Sequence, residues 1–150
     1  FETIFRRSGE TLTILNSGDF RDDSGLLVTI GEFSLLLSVD ANNLNSGILT
    51  DNITVLGSNF ASGASGYPLC MDNISIDVAK KLSHRKKLKV LNKFLDQVKL
   101  TTPKYLLPYA GFFAESKWRD LYIYKNNVKN SINDIKNVFI CVIIRCGNIF

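Results

Sequence analysis

The chain has 150 residues, of which 45% are hydrophobic and 21% charged, the proportions of a globular domain and not of a disordered chain. Its net charge of +4 hides an asymmetry, since residues 1–77 carry 3 basic and 10 acidic side chains whereas residues 78–150 carry 15 and 4. The single histidine excludes a complete Rieske cluster or multi-histidine zinc site built from this chain alone.

Short β-strands are predicted in the first 60 residues. Residues 11–15 alternate weakly, and the apolar runs 26–30 and 33–39 flank a two-residue, glycine-containing loop, which predicts a β-hairpin. The second run has no alternation over residues 35–37, so we expect a strand that is buried on both faces. Residues 53–56 predict a further short strand.

The second half of the chain predicts helices between strands. Residues 74–100 carry apolar side chains every three or four positions and a basic opposite face, the pattern of an amphipathic helix. A strand at 105–108 follows, then a short helix opened by the capping box of Ser131 and Asp134, then a strand at 138–144. This order predicts an α/β sandwich with a mixed sheet.

Cysteine usage and hydropathy indicate where the protein resides. Cys70, Cys141 and Cys146 are odd in number and lack Cys-x-x-Cys spacing, which indicates reduced thiols in a cytosolic protein. The longest apolar run is too short to span a bilayer, and no signal peptide is recognisable. Because the chain starts with Phe1 and has no targeting signal, we expect a fragment of a longer protein.

Three segments are candidates for function. Asp40 ends a predicted buried strand, where it could ligate a metal at the sheet edge or simply cap the next loop. The Gly- and Ser-rich turn at 57–68 could hold a phosphate through backbone N–H groups, or be a tight turn that packs Phe60 and Tyr67. Residues 105–115 could line a pocket or form a packed corner.

The basic helix face has two interpretations. It could attract an acidic ligand or be an ordinary solvated surface, and its lack of interleaved aromatic residues argues against nucleic acid. His84 lies among cationic side chains and is expected to be exposed. Cys70 has no identifiable base beside it and is assigned a structural role.

Taken together, these segments resemble the CMP-N-acetylneuraminate monooxygenases, which hydroxylate CMP-N-acetylneuraminate (CMP-Neu5Ac) to CMP-N-glycolylneuraminate (CMP-Neu5Gc). The resemblance runs from about residue 10 to residue 137, and its specific parts are FASGASGYP at 60–68 and PYAGFFAES at 108–116. The family usually has a cysteine after the strand-end aspartate, where this chain has Ala41.

The resemblance implies an iron-sulfur-dependent monooxygenase with a Rieske two-iron two-sulfur domain and a metallo-β-lactamase-like αββα domain that contains iron. Residues 1–150 would be a single partial domain, the carboxy-proximal half of the second domain, with the Rieske domain absent and the cluster and histidine ligands upstream. The implied partners are CMP-Neu5Ac, O2 and a reduced b-type cytochrome supplied by NADH, in the cytoplasm, without nucleic acid or a membrane span. The fragment alone is expected to be inactive.

The resemblance also suggests individual residues, although no catalytic residue is assigned. Asp40 is the one candidate metal ligand. The candidates for a substrate pocket are Ser62, Gly63, Ala64, Ser65, Gly66, Tyr109, Gly111 and Glu115. Two alternatives remain: a metallo-β-lactamase-fold hydrolase of other specificity, and a non-enzymatic truncated remnant that binds a nucleotide sugar.

Overall fold

The computed structural model describes residues 3–17, 23–39, 41, 44, 52–62, 66–109 and 114–137. The strands are β1 (Thr3–Arg7), β2 (Glu10–Asn16), β3 (Ser24–Ile30), β4 (Phe33–Val39), β5 (Val55–Asn59) and β6 (Tyr105–Tyr109). The helices are α1 (Ile76–Thr101), α2 (Leu121–Asn126) and α3 (132–137). The predicted α/β class is confirmed, and the strand predicted at 138–144 lies outside the described residues.

The chain forms two compact units. The first comprises Phe1–Asn59 with Lys93–Ala110 and therefore contains all six strands and the end of α1. The second comprises Phe60–Asn92 with Gly111–Phe150 and contains the start of α1, together with α2 and α3.

The sheet of the first unit follows chain order from β1 to β6. Its first four strands are antiparallel, whereas β5 is parallel to β4 and β6 is parallel to β5. The predicted mixed sheet is therefore confirmed. The predicted hairpin is also confirmed, since Ile30 pairs with Phe33 across a two-residue loop.

The first strand was not predicted. Arg7 pairs with Glu10, and the two loop residues Ser8 and Gly9 have φ of +47° and +85°. Positive φ at both loop positions suits the right-handed twist of a hairpin, and glycine adopts it without steric cost. The Ser-Gly dipeptide was a usable turn signal, but the arginines at 6 and 7 interrupt the apolar pattern around it.

One face of the sheet, here called the inner face, forms the core of the first unit. Leu15, Leu36 and Leu56 are fully buried on three different strands of this face. Phe94 and Val98 of α1 are also buried, on the same side of the helix because they are four residues apart. The predicted strand at 53–56 lies two residues later than expected, at Val55–Asn59.

The opposite face of the sheet, here called the outer face, is apolar and uncovered among the described residues. Leu35 and Leu37 are only half-buried although Leu36 between them is buried, so the prediction that β4 is buried on both faces is wrong. No described element packs over them. Exposed large apolar side chains on the outer face are Phe5, Leu12, Ile30, Phe33, Tyr105 and Leu107. Soluble monomers seldom expose an apolar face of this extent.

α1 and α3 follow their predicted signals, whereas α2 was not predicted. α1 begins after Ser75, whose Oγ accepts the backbone N–H of Val78, and ends shortly before Pro103. The capping box of α3 is confirmed, since the Ser131 N–H donates to Asp134 Oδ2 at 2.7 Å and the Asp134 N–H donates to Ser131 Oγ at 3.3 Å. None of the helices in the described ranges has the length and hydropathy needed to cross a bilayer.

Candidate functional site

The structure describes four of the predicted site residues. Ser62, Gly66 and Glu115 belong to the second unit, and Tyr109 belongs to the first. Tyr109 is half-buried at the end of β6, and one of its ring carbons lies 3.6 Å from the position of a Cβ on Gly57. The other five predictions lie outside the described residues: Asp40, Gly63, Ala64, Ser65 and Gly111.

The small-residue turn is packed at both ends. Ser62 is buried, and its Oγ donates a hydrogen bond to the Val128 carbonyl at 3.3 Å. Gly66 has φ of +68°, a backbone conformation that favours glycine, and a Cβ there would lie 2.9 Å from Ile123 Cδ1 and displace the end of that side chain. Of the two aromatic residues expected to pack, Phe60 is buried but Tyr67 is exposed.

Glu115 is held by two donors on the segment that follows α2. Asn127 Nδ2 lies 2.6 Å and Lys129 Nζ 2.8 Å from its Oε1, and the side chain is 12% exposed. Burial alone raises the pKa of the Glu115 carboxyl, but hydrogen bonds from Lys129 and Asn127 and the charge of Lys129 outweigh it and lower the pKa below its ordinary value of 4.5. Glu115 is therefore an ionised, charge-compensated carboxylate.

Asn130 continues this segment. Its buried side chain donates from Nδ2 to the Phe60 carbonyl at 2.7 Å and to the Lys87 carbonyl at 3.0 Å. Lys87 in turn forms an ion pair with Asp134 of α3, with Nζ and Oδ1 3.2 Å apart. Residues 127–130, here called the bracing segment, thus hold the turn, α1 and Glu115 together within the second unit.

The sequence did not indicate a role for the bracing segment, although it lies within residues 10–137, where the chain resembles the family. Its hydrogen bonds join residues that are 12 to 70 positions apart in the sequence. Local periodicity does not predict contacts between residues so far apart along the chain. An asparagine after a helix is the one available signal, and it is equally typical of an ordinary turn.

A buried polar cluster in the first unit was also missed. Ser58 Oγ donates to Gln97 Oε1 at 2.6 Å, and Ser38 Oγ lies 2.9 Å from Ser58 Oγ and 3.1 Å from Gln97 Oε1. The two serines lie at the carboxyl ends of adjacent parallel strands, and Gln97 reaches them from α1. These bonds satisfy polar groups that the core would otherwise leave unpaired, and they fix α1 on the inner face.

The metal-binding potential of the described residues is small. His84 is exposed on α1, as expected, and Cys70 is exposed on the turn before that helix. Across the described ranges, no group of three or more His, Cys, Asp or Glu side chains could together hold a metal ion.

Comparison with known proteins gives a consistent result. The chain is 32% identical over 118 residues to the mouse cytidine monophosphate-N-acetylneuraminic acid hydroxylase, which covers 77% of this chain and 20% of the relative. The zebrafish protein of the same name is 35% identical over 111 residues, which are 73% of this chain and 19% of that relative. The pig protein is 31% identical over 118 residues, which are 77% of this chain and 27% of that relative. No protein-family model and no solved structure matches the chain.

Replacing Asn130 by alanine is expected to reduce the free energy of unfolding by about 1–3 kcal/mol, because it removes a buried donor shared by two carbonyls. Asn126→Ala is the matched control, since the half-buried Asn126 also donates from its amide to a carbonyl, that of Tyr122, but this hydrogen bond is exposed to solvent. We expect the control to change stability by less than about 0.5 kcal/mol in urea titrations. Equal effects of the two variants would contradict the bracing role.

Stability is expected to depend on the ionisation of Glu115. Because the pKa is lowered in the folded protein, its contribution is present above the ordinary value of 4.5 and is lost as the pH falls through the lower folded value. Glu115→Gln should therefore be less stable than wild type at pH 7 and lose less stability between about pH 5 and pH 3. Asp134, whose pKa is also lowered, chiefly by hydrogen bonds from Ser131, leaves some pH dependence in the variant.

Glu32→Gln, at the exposed turn between β3 and β4, is the control for this experiment. In urea titrations at each pH, the free energy of unfolding of Glu32→Gln should depend on pH as that of the wild type does. An unchanged profile for Glu115→Gln would refute the pairing of Glu115 with Lys129.

Proposed function

Because the chain belongs to the cytidine monophosphate-N-acetylneuraminic acid hydroxylase family, we propose that the protein of which it forms part hydroxylates the N-acetyl methyl group of CMP-Neu5Ac, giving CMP-Neu5Gc. The similarity of 31–35% over about three quarters of the chain carries this proposal. The chain spans about a fifth of the length of the mouse and zebrafish relatives, so the proposed activity is that of a longer protein.

The proposed chemistry is a monooxygenation. One oxygen atom of O2 enters a C–H bond of the methyl group, and the other takes up two electrons and two protons and leaves as water. The two electrons come from NADH through a reduced b-type cytochrome, and the two protons come from NADH and solvent. We place the reaction in the cytoplasm, because thiols such as that of Cys70 stay reduced there.

The proposed Rieske cluster and iron do not fit the residues of this chain. A Rieske cluster takes two cysteine and two histidine ligands, whereas the chain has one histidine, His84, which is exposed on α1. Cys70 is likewise exposed. The proposal therefore places the cluster ligands elsewhere in the longer protein, with Asp40 as the one contribution of this chain to a metal site.

We further propose that the sheet is one layer of a metallo-β-lactamase-like αββα sandwich. In such a sandwich two sheets pack face to face about 10 Å apart, and each buries an apolar face against the other. The uncovered outer face supports this proposal, because its leucine, valine and phenylalanine side chains suit contact with a second sheet. The second sheet would come from the rest of the longer protein.

Within the second unit, this chain would contribute Ser62, Gly66 and Glu115 to the substrate pocket. The packing of Ser62 against Val128 and of Gly66 against Ile123 fixes both ends of the small-residue turn. Glu115 is compensated by Lys129, so its proposed role is to fix the pocket wall and not to transfer a proton. The net basic charge of residues 78–150 favours an anionic nucleotide sugar.

The proposal is tested by supplying CMP-Neu5Ac, 18O2 and a reduced b-type cytochrome to the longer protein, loaded with cluster and iron. We expect CMP-Neu5Gc that carries one 18O atom in the new hydroxyl group. Purified residues 1–150 should give no product under the same conditions.

Absence of product from the fully loaded longer protein would overturn the hydroxylase proposal. Hydrolysis of a substrate in place of hydroxylation would favour the hydrolase alternative. Nucleotide-sugar binding without turnover would favour the truncated remnant, and turnover by residues 1–150 alone would contradict the placement of the ligands elsewhere.

A further inference from the structure

The turn before α1 presents one aromatic ring to solvent. Six residues in the described part of this turn are buried: Phe60, Ala61, Ser62, Gly66, Pro68 and Leu69. Tyr67, between two buried residues, is 43% exposed. Because the residues on either side are buried, packing positions the backbone of Tyr67 while its ring faces solvent.

A lysine of α1 accompanies this ring. Lys86 Nζ lies 5.4 Å from the centre of the Tyr67 ring, within the range of a cation–π contact. No carboxylate of the described residues forms an ion pair with Lys86, whereas the adjacent Lys87 is paired with Asp134. Arg85 and Lys89 are exposed nearby on the same helix, so the surroundings of Lys86 are basic.

We propose that Tyr67 and Lys86 bind the nucleotide part of a nucleotide sugar, with the pyrimidine stacked on the Tyr67 ring and the phosphate paired with the Lys86 ammonium group. This inference rests on the proposed function, and names the residues that recognise its substrate. An aromatic ring offers any base a stacking surface, and a lysine beside it supplies the charge that a phosphate needs.

A surface cation–π pair is by itself common, at about one per 70–80 residues. The chain contains a useful comparison in the first unit, where Lys104 Nζ lies 5.5 Å from the centre of the Tyr105 ring. Tyr105 is 56% exposed, but it shares the apolar outer face with Leu107. The Tyr67 pair differs because buried turn residues and exposed cations flank it.

The proposal is tested by calorimetric titration of residues 1–150 with CMP and, separately, with cytidine. We expect saturable CMP binding that Tyr67→Leu weakens about tenfold or more, because a stacking surface is lost, and that Tyr67→Phe leaves nearly unchanged. Lys86→Met should weaken CMP binding but leave cytidine binding unchanged, since cytidine lacks the phosphate.

Tyr105→Leu is the matched control and should bind CMP as wild type does. Thermal unfolding followed by circular dichroism should give similar profiles for all variants, because both tyrosines are exposed. No saturable CMP binding by the wild type, or equal weakening by Tyr67→Leu and Tyr105→Leu, would overturn the proposal.

Kinetics of the longer protein separate this inference from the proposed function. Hydroxylation with an unchanged KM in Tyr67→Leu would refute the Tyr67 site and leave the proposed function intact. CMP binding that depends on Tyr67, in a longer protein that forms no CMP-Neu5Gc, would refute the proposed function and leave the site intact.

Discussion

The first unit depends on the burial of one face of its sheet under the end of α1. Three leucines from β2, β4 and β5 are fully buried there, and Phe94 and Val98 of α1 are buried with them. Each such side chain contributes about 1.5–3 kcal/mol by leaving water, so this layer is a major source of the unit's stability. The polar cluster of Ser38, Ser58 and Gln97 then fixes the position of α1 along the sheet.

The apolar outer face indicates that this sheet is suited to being covered on both sides. Strands of a half-covered sheet normally alternate apolar and polar residues, yet β3 and β4 each contain three consecutive apolar residues, at 26–28 and 35–37. The sequence pattern is therefore that of a sheet covered on both sides, while the described residues cover only the inner side. The matched region makes up only 20% of the mouse relative. The mismatch between the apolar pattern and the observed burial is expected if another part of a longer protein covers the outer face.

Local patterns predicted the elements of the fold well. The hairpin, α1 and the capping box of Ser131 and Asp134 depend on contacts a few residues apart, which spacing reports directly. β1 was missed because Arg6 and Arg7 interrupt its apolar pattern, and α2 because it has no buried side chain and hence no apolar stripe. Burial of β4 on both faces was predicted from composition, which does not reveal whether the covering layer is present.

The site was less predictable than the fold. Ser62, Gly66 and Glu115 were selected by resemblance, but their partners Val128, Ile123 and Lys129 are defined only by the tertiary structure. The exposure of Tyr67 likewise follows from the burial of its neighbours and has no signal of its own. Family membership thus identified the relevant stretches, and the packing of the second unit gave their residues distinct roles.

We propose that the outer face packs against a further layer of the longer protein. This proposal can be tested by the fluorescence of an apolar dye bound to residues 1–150, with Leu107→Lys on the outer face and Leu88→Lys on α1, whose leucines are 50% and 57% exposed. We expect strong dye binding that Leu107→Lys reduces and Leu88→Lys does not. Weak dye binding by the wild type, or equal loss in both variants, would contradict it.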